Sequence, residues 1–200
     1  PLVAQALAWA GPIAVRNRGT IGGMLAHHDR SAELPGAAVA LGAVFTIQSS
    51  QGLRDVEADS FFVSDLVTAV KPGEMLSEIR FPLTPEPNFS VFLEAGLRQR
   101  DMALVGLAFS AQASPDGYFS SVRAAVTAVD SRPRRLADLE SALTHRSLAT
   151  RDILELAEVA SRSIETADDT HASGRYRRTV LQRLLGEAIR QGQKWLGERS

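Results

Sequence analysis

VRNRGTIGGMLAHHDRSAELP, residues 15–35, gathers three glycines, three arginines, two histidines and two acids into one short run. Gly19, Gly22 and Gly23 flank Thr20 and Ile21, so the backbone there can turn sharply and approach a ligand with no Cβ in the way. Successive free N–H groups in such a turn make a concave nest for an anion such as a diphosphate, and the Thr20 hydroxyl adds a donor. Neither G-x-G-x-x-G nor G-x-x-x-x-G-K-[ST] is present, so a plain strand-to-helix turn stands beside the anion reading. Glu33 also has two readings: an acid favoured in the first turn of a helix, or an acceptor for the hydroxyls of a ribose or ribityl chain. Arg16 and Arg18 either neutralise phosphates or bracket a surface turn. His27, His28 and Asp29 are adjacent side chains that diverge, with no ligand pair at i+4 spacing, so they read as a solvated polar loop rather than a metal centre.

Outward from this run the periodicity changes several times. Residues 2–10 read as a helix, and SAELPGAAVALGA (31–43) as a short apolar helix with Ser31 as its N-cap. AVFTIQ (43–48) and LRDVEA (53–58) read as strands joined by SSQG, and MLSEIRFPL (75–83) as another, ended by the proline-rich PLTPEPN (82–88), a linker. Three alternations follow: Phe89, Val91, Leu93, Ala95, Leu97; Val105, Leu107, Phe109, Ala111; and Val122, Ala124, Val126, Ala128. They predict a three-stranded antiparallel sheet, with a hairpin at SPDGY (114–118) where Pro115 presets the turn and Gly117 accepts positive φ. Three helical faces close the chain: Leu136, Leu139, Leu143; Ile153, Ala157, Ala160, Ile164; and Leu181, Leu184, Leu185, Ala188. The fold class is α+β, divided into residues 1–87 and 88–200.

Composition narrows the function classes. A length of 200 residues, 44% of them hydrophobic, is enough for one good core or two small ones. A net charge of -1 gives no general pull toward nucleic acid or anionic lipid, and RPRR (132–135) and RYRR (175–178) read as runs that are solvated or pair with acids. With no cysteine the chain has no thiolate nucleophile and no cysteine-held iron–sulfur cluster, which makes the cytoplasm the expected compartment. The longest apolar stretch, Pro35 to Ile47, is too short to cross a bilayer. No nucleophile–base order or catalytic carboxylate pair stands out, so no catalytic residue and no metal ligand is assigned. The opening PLVAQALAWAG lacks Met and reads as mid-helix, an expectation of an N-terminally incomplete chain.

GPIAVRNRGTIGGMLAHHDRSAELP resembles the second flavin-binding segment of the FAD-binding (medium) subunit of the xanthine dehydrogenase and carbon monoxide dehydrogenase family of molybdenum hydroxylases. LGAVFTIQSSQGLRDVEADSFF, VKPGEMLSEIRFPL, VFLEAGLRQRDMALVGLA and ASGRYRR extend the resemblance over nearly the whole chain. It implies the C-terminal part of a FAD-binding domain of the vanillyl-alcohol-oxidase (PCMH) type, then a small domain of three-stranded sheet plus three-helix bundle. It implies that Thr20, Ile21, Gly22, Gly23 and Met24 line the FAD pyrophosphate, that Glu33 touches FAD, that Leu76 packs near the flavin and that Ala10 lines the site. It further implies partners, a molybdopterin-binding large subunit and an iron–sulfur small subunit, with electrons passing through FAD to NAD or another acceptor.

The chain departs from the family pattern at three places. Met24 stands where Asn or Ser is usual and would have only its amide to donate, HHDRS replaces HADPA, and Leu93 occupies a position where relatives often carry a lysine near the flavin. Two other readings remain on the sequence: a non-catalytic assembly subunit that has lost flavin, and a free-standing flavin oxidase of the same fold.

Overall fold

The computed structural model describes residues 1–83, 88–98, 101–146 and 149–199. In chain order the elements are α1 (Leu2–Trp9), α2 (Ile13–Arg16), α3 (Ile21–His27), α4 (Glu33–Leu41), β1 (Val44–Ser49), β2 (Gly52–Glu57), α5 (Ala58–Phe61), β3 (Phe62–Ser64), β4 (Val67–Thr68), β5 (Met75–Arg80), β6 (Asn88–Gly96), β7 (Ala103–Ala113), β8 (Phe119–Thr127), β9 (Arg134–Arg135), α6 (Ala137–Leu143), α7 (Thr150–Arg162) and α8 (Gly174–Gly197). Antiparallel ladders join them into a sheet of order β2-β1-β5, a β3-β4 ribbon and a sheet of order β6-β7-β8-β9. Most of the linker read at PLTPEPN lies outside the described residues.

The strongest alternations become the expected strands. Val105, Leu107, Phe109 and Ala111 of β7 and Val122, Ala124 and Val126 of β8 face one core, completed by the apolar faces of α6, α7 and α8. The SPDGY hairpin forms, closed by Ser114 N–H to Tyr118 C=O at 2.8 Å, with Gly117 at φ 77°. Leu97 lies beyond β6 and is exposed, and Ala128 leaves β8 at φ 66°.

Three expectations need correction. The C-terminal sheet has four strands rather than three: Arg134 and Arg135, read only as a basic run, pair with Val126 and Ala125. Their charge is balanced by Asp130 and Glu140, so an edge ladder of two arginines is stable there. Ser31 does not cap α4; Ala32 holds the cap position, while the Ser31 amide and hydroxyl bond Asp29 Oδ1 at 2.8 and 2.6 Å. The glycine-rich stretch is not an open loop, because Gly22 and Gly23 lie in the first turn of α3, where the Thr20 cap and the buried Leu25 outweigh glycine's poor helix propensity.

The C-terminal sheet is buried on both faces, and this brings the two halves of the chain together. The side away from α6–α8 meets α1 and α4, where Phe92, Ala108 and Ala125 join a second core with Leu2, Leu34, Ala37 and Phe45. Apart from its first residue, Glu33, α4 is apolar all round and buried along almost its whole length, as a helix between two layers must be. A small residue permits the close approach: a Cβ on Gly36 of α4 would stand 3.4 Å from Thr127 Cβ. Among the described residues no helix is long and apolar enough to cross a membrane.

Candidate functional site

A cleft of about 890 Å³ opens between the C-terminal end of α1 and the segment running through α2 into α3. Its apolar lining includes Ile13, Val15 and Ile21, which are 66%, 57% and 40% exposed. Side chains this apolar at a concave surface make a wall suited to a flat or hydrophobic ligand. Arg16 and Arg18 stand on the same wall, and among the described residues neither guanidinium has an acid partner.

Thr20 sets the polar end of the cleft. Its extended backbone starts α3, its Oγ1 accepts from Gly23 N–H at 2.9 Å, and its carbonyl accepts from Met24 N–H at 3.0 Å. Thus the Met24 amide, expected from the resemblance to be available to a ligand, is spent inside the helix. The amides of Ile21 and Gly22 find no acceptor among the described residues, as befits the first positions of a helix. Nothing lies within 4 Å of where a Gly22 Cβ would be. The cleft wall therefore carries the Ile21 amide, the Thr20 hydroxyl and two guanidiniums with no acid partner among the described residues, with the free Gly22 amide in the same helical turn.

Of the residues assigned by resemblance, Ala10, Thr20, Ile21, Gly23 and Met24 come together on the cleft wall. Gly22 belongs to the same helical turn, whereas Glu33 and Leu76 are not on that wall. Leu76 lies on β5 and packs against the second core. Glu33 is the first residue of α4 and is 5% exposed; burial pushes its carboxyl up to about 7 against a hydrogen bond from its own amide, with the Asp29 charge adding to the rise.

Glu94 is a residue that the sequence reading missed. It lies on β6, where burial and then the charge of Glu33 push its carboxyl up to about 8, and its buried Oε2 has no partner among the described residues. The signal was available in principle: Phe92 and Glu94 share the strand face opposite Val91 and Leu93, and only the latter face was read as inward. Leu93, the place of the expected lysine, packs on the helix side of the sheet.

His28 is not part of a solvated loop. It ends α3 at φ 47°, is fully buried, and its ring lies 4.6 Å from that of Phe62. Burial pushes its pKa down, so the neutral ring donates Nδ1–H to the Ser64 carbonyl at 2.8 Å. No group of three or more potential metal ligands exists among the described residues.

Residues 1–84 match the FAD binding domain in molybdopterin dehydrogenase, and residues 90–191 match the CO dehydrogenase flavoprotein C-terminal domain. The chain belongs to the flavoprotein medium subunits of the molybdenum hydroxylases. Among its relatives, the 6-hydroxypseudooxynicotine dehydrogenase complex subunit alpha of Paenarthrobacter nicotinovorans is 35% identical over 193 residues, covering 94% of this chain and 65% of the relative. The nicotine 6-hydroxylase medium subunit of the same organism is 31% identical, covering 88% and 61%. Quinoline 2-oxidoreductase from Pseudomonas putida 86 superposes with a TM-score of 0.88 at 30% identity, over 96% of this chain and 66% of that one. The chain therefore spans less than two thirds of the length of these two relatives, 65% and 61%, and 66% of the quinoline 2-oxidoreductase chain. Its cleft lies wholly within the FAD-binding match, and the sheet that backs α4 lies in the C-terminal match.

Proposed function

We propose that this chain is the FAD-binding, electron-transferring part of a heteromeric molybdenum hydroxylase. The observation that carries the reading is the apolar-walled cleft lined by Thr20, Ile21, Arg16 and Arg18, with the unpartnered amides of Ile21 and Gly22 in the first turn of α3 at its polar end. That donor set fits a diphosphate: Ile21, Gly22 and the Thr20 hydroxyl donate to its oxygens, and the two guanidiniums offset its charge. Ile13, Val15 and Ile21 cover an aromatic ring system and keep water from it. Glu33 stands off this wall at the start of α4, where burial holds its carboxyl well above the usual carboxylate range. FAD, when bound, supplies the exchange between single-electron donors and a two-electron acceptor.

The rest of the electron path belongs to partners. On this reading the iron–sulfur centres sit on a small subunit and the molybdenum cofactor on a large one, where substrate is met; the lack of cysteine in this chain agrees with clusters carried elsewhere. NAD or another carrier receives the electrons, and a cytoplasmic setting suits the absence of cysteine. The test is direct. The complete purified subunit is expected to be yellow with stoichiometric FAD, and Gly23→Asp in the full-length subunit to abolish flavin retention with the C-terminal helices intact. A Cβ at Gly23 would press on Thr20 Oγ1 at 3.0 Å, and the carboxylate would occupy the anion's place. A colourless wild-type subunit would support an assembly role instead, and full FAD in Gly23→Asp would sink the diphosphate assignment.

A further inference from the structure

Residues 28–32 join α3 to α4, so this loop sets how the free amides of α3 stand relative to Glu33. Its geometry is held mainly from elsewhere in the chain. Arg30 N–H donates to Asp65 Oδ1 at 2.9 Å, and Arg30 C=O accepts from Ala128 N–H and Thr127 Oγ1, each at 3.0 Å. The Thr127 hydroxyl also reaches Ala32 C=O at 3.0 Å, immediately before Glu33.

The Arg30 side chain completes the attachment. Its guanidinium pairs with Asp169 Oδ2, which also accepts from Arg177 Nη2 at 2.6 Å. Asp169 Oδ1 accepts from the amides of His171 and Ala172 at 2.8 and 2.9 Å, so every face of this carboxylate is engaged. Arg177, 2% exposed, also donates Nη1–H to the carbonyls of Leu104 and Ala128 at 2.6 and 2.7 Å. The ASGRYRR segment thus anchors a carboxylate whose outward bond goes to the loop beside the cleft.

We infer that Arg30, held by Asp169 from the C-terminal part of the chain, is a positioning residue that keeps α3 and Glu33 in the mutual geometry that FAD requires. The inference rests on the flavin reading of the cleft. Arg177 has the structural task, because it is buried and ties β7 and the end of β8 to α8; the Arg30 side chain is 27% exposed and, among the described residues, bonds Asp169 alone. Removing the Arg30 side chain therefore leaves Asp169 paired and the cores untouched, while the loop loses its charged tether.

The experiment compares wild type, Arg30→Lys and Arg30→Met in the full chain, with FAD titrated into deflavinated protein and thermal unfolding recorded without FAD. Arg30→Met is expected to raise the FAD Kd on the order of tenfold with the apo-protein Tm nearly unchanged, and Arg30→Lys to recover part of the loss. Arg177→Met is expected to lower the apo Tm, which gives the signature of a structural arm. An Arg30→Met Kd equal to wild type, or a Kd change matched by an equal loss of apo stability, overturns the inference. Wild-type protein that binds no FAD overturns the flavin reading instead.

Discussion

Glu33 on α4 and Glu94 on β6 are two carboxylates of raised pKa, each pushed up mainly by burial, with the Glu33 charge adding to the rise at Glu94. Their values of about 7 and about 8 lie above the 4.5 of an ordinary glutamate, so the unfolded chain releases protons that the folded chain still holds. Stability from these protons is fully present below pH 4.5 and declines as pH rises through 7 and 8. Glu94→Gln removes one titration and the repulsion it brings. The variant is expected to match wild type in Tm at about pH 5 and to exceed it at about pH 9, with the gap opening between. A gap that is constant with pH would show that Glu94 is ionised throughout. Gly23→Asp tests the cleft at the same scale, since one side chain there changes both the space and the charge at the free amides.

Among the elements, α8 shows how helix and sheet are fitted. Gly192 lies where a Cβ would stand 2.9 Å from Phe119 Cζ and 3.4 Å from Phe89 Cδ1, so the helix reaches the sheet through a missing side chain. Gly192→Ala gains about 1 kcal/mol of helix propensity and loses about 1–3 kcal/mol to overpacking. Net destabilisation is expected in urea unfolding, whereas Gly197→Ala, with nothing within 4 Å, should be neutral or slightly stabilising. Equal gains at both positions would mean that the aromatic pair yields freely. Elements also differ in how legible they are. β7 announces itself through Val105, Leu107, Phe109 and Ala111, but α3 does not, because two glycines in seven residues argue against a helix until Thr20 caps it and Leu25 is buried. β9 is hidden by its charge, since nothing local tells that Arg135 will meet Glu140.

For the molecule as a whole, the C-terminal sheet belongs to both cores, so neither half can leave without exposing Phe92, Ala108 and Ala125 or the buried flank of α4. The two tryptophans report on this: Trp9 packs against one core and Trp195 against the other. Trp9→Phe and Trp195→Phe variants, each leaving one reporter, are expected to show the same denaturant midpoint. Separate midpoints would establish two units that unfold independently. Thr127→Val strips the hydroxyl shared by the Arg30 and Ala32 carbonyls at a position 1% exposed, and is expected to cost about 1–3 kcal/mol by thermal unfolding. A loss within error would mean that these carbonyls find other donors.

Local sequence determined what depends on neighbours along the chain: the period-two strands, the SPDGY hairpin and the three apolar helical faces. Tertiary structure alone decided which amides of the glycine-rich run stay free, that His28 is buried, that β6 turns Glu94 toward Glu33, and that Asp169 reaches Arg30. The reason is physical. A repeat pattern records which side of an element is apolar, whereas hydrogen-bond satisfaction, desolvation and charge pairing depend on residues brought near by the path of the chain, as Asp169 is brought to Arg30 from 139 positions away.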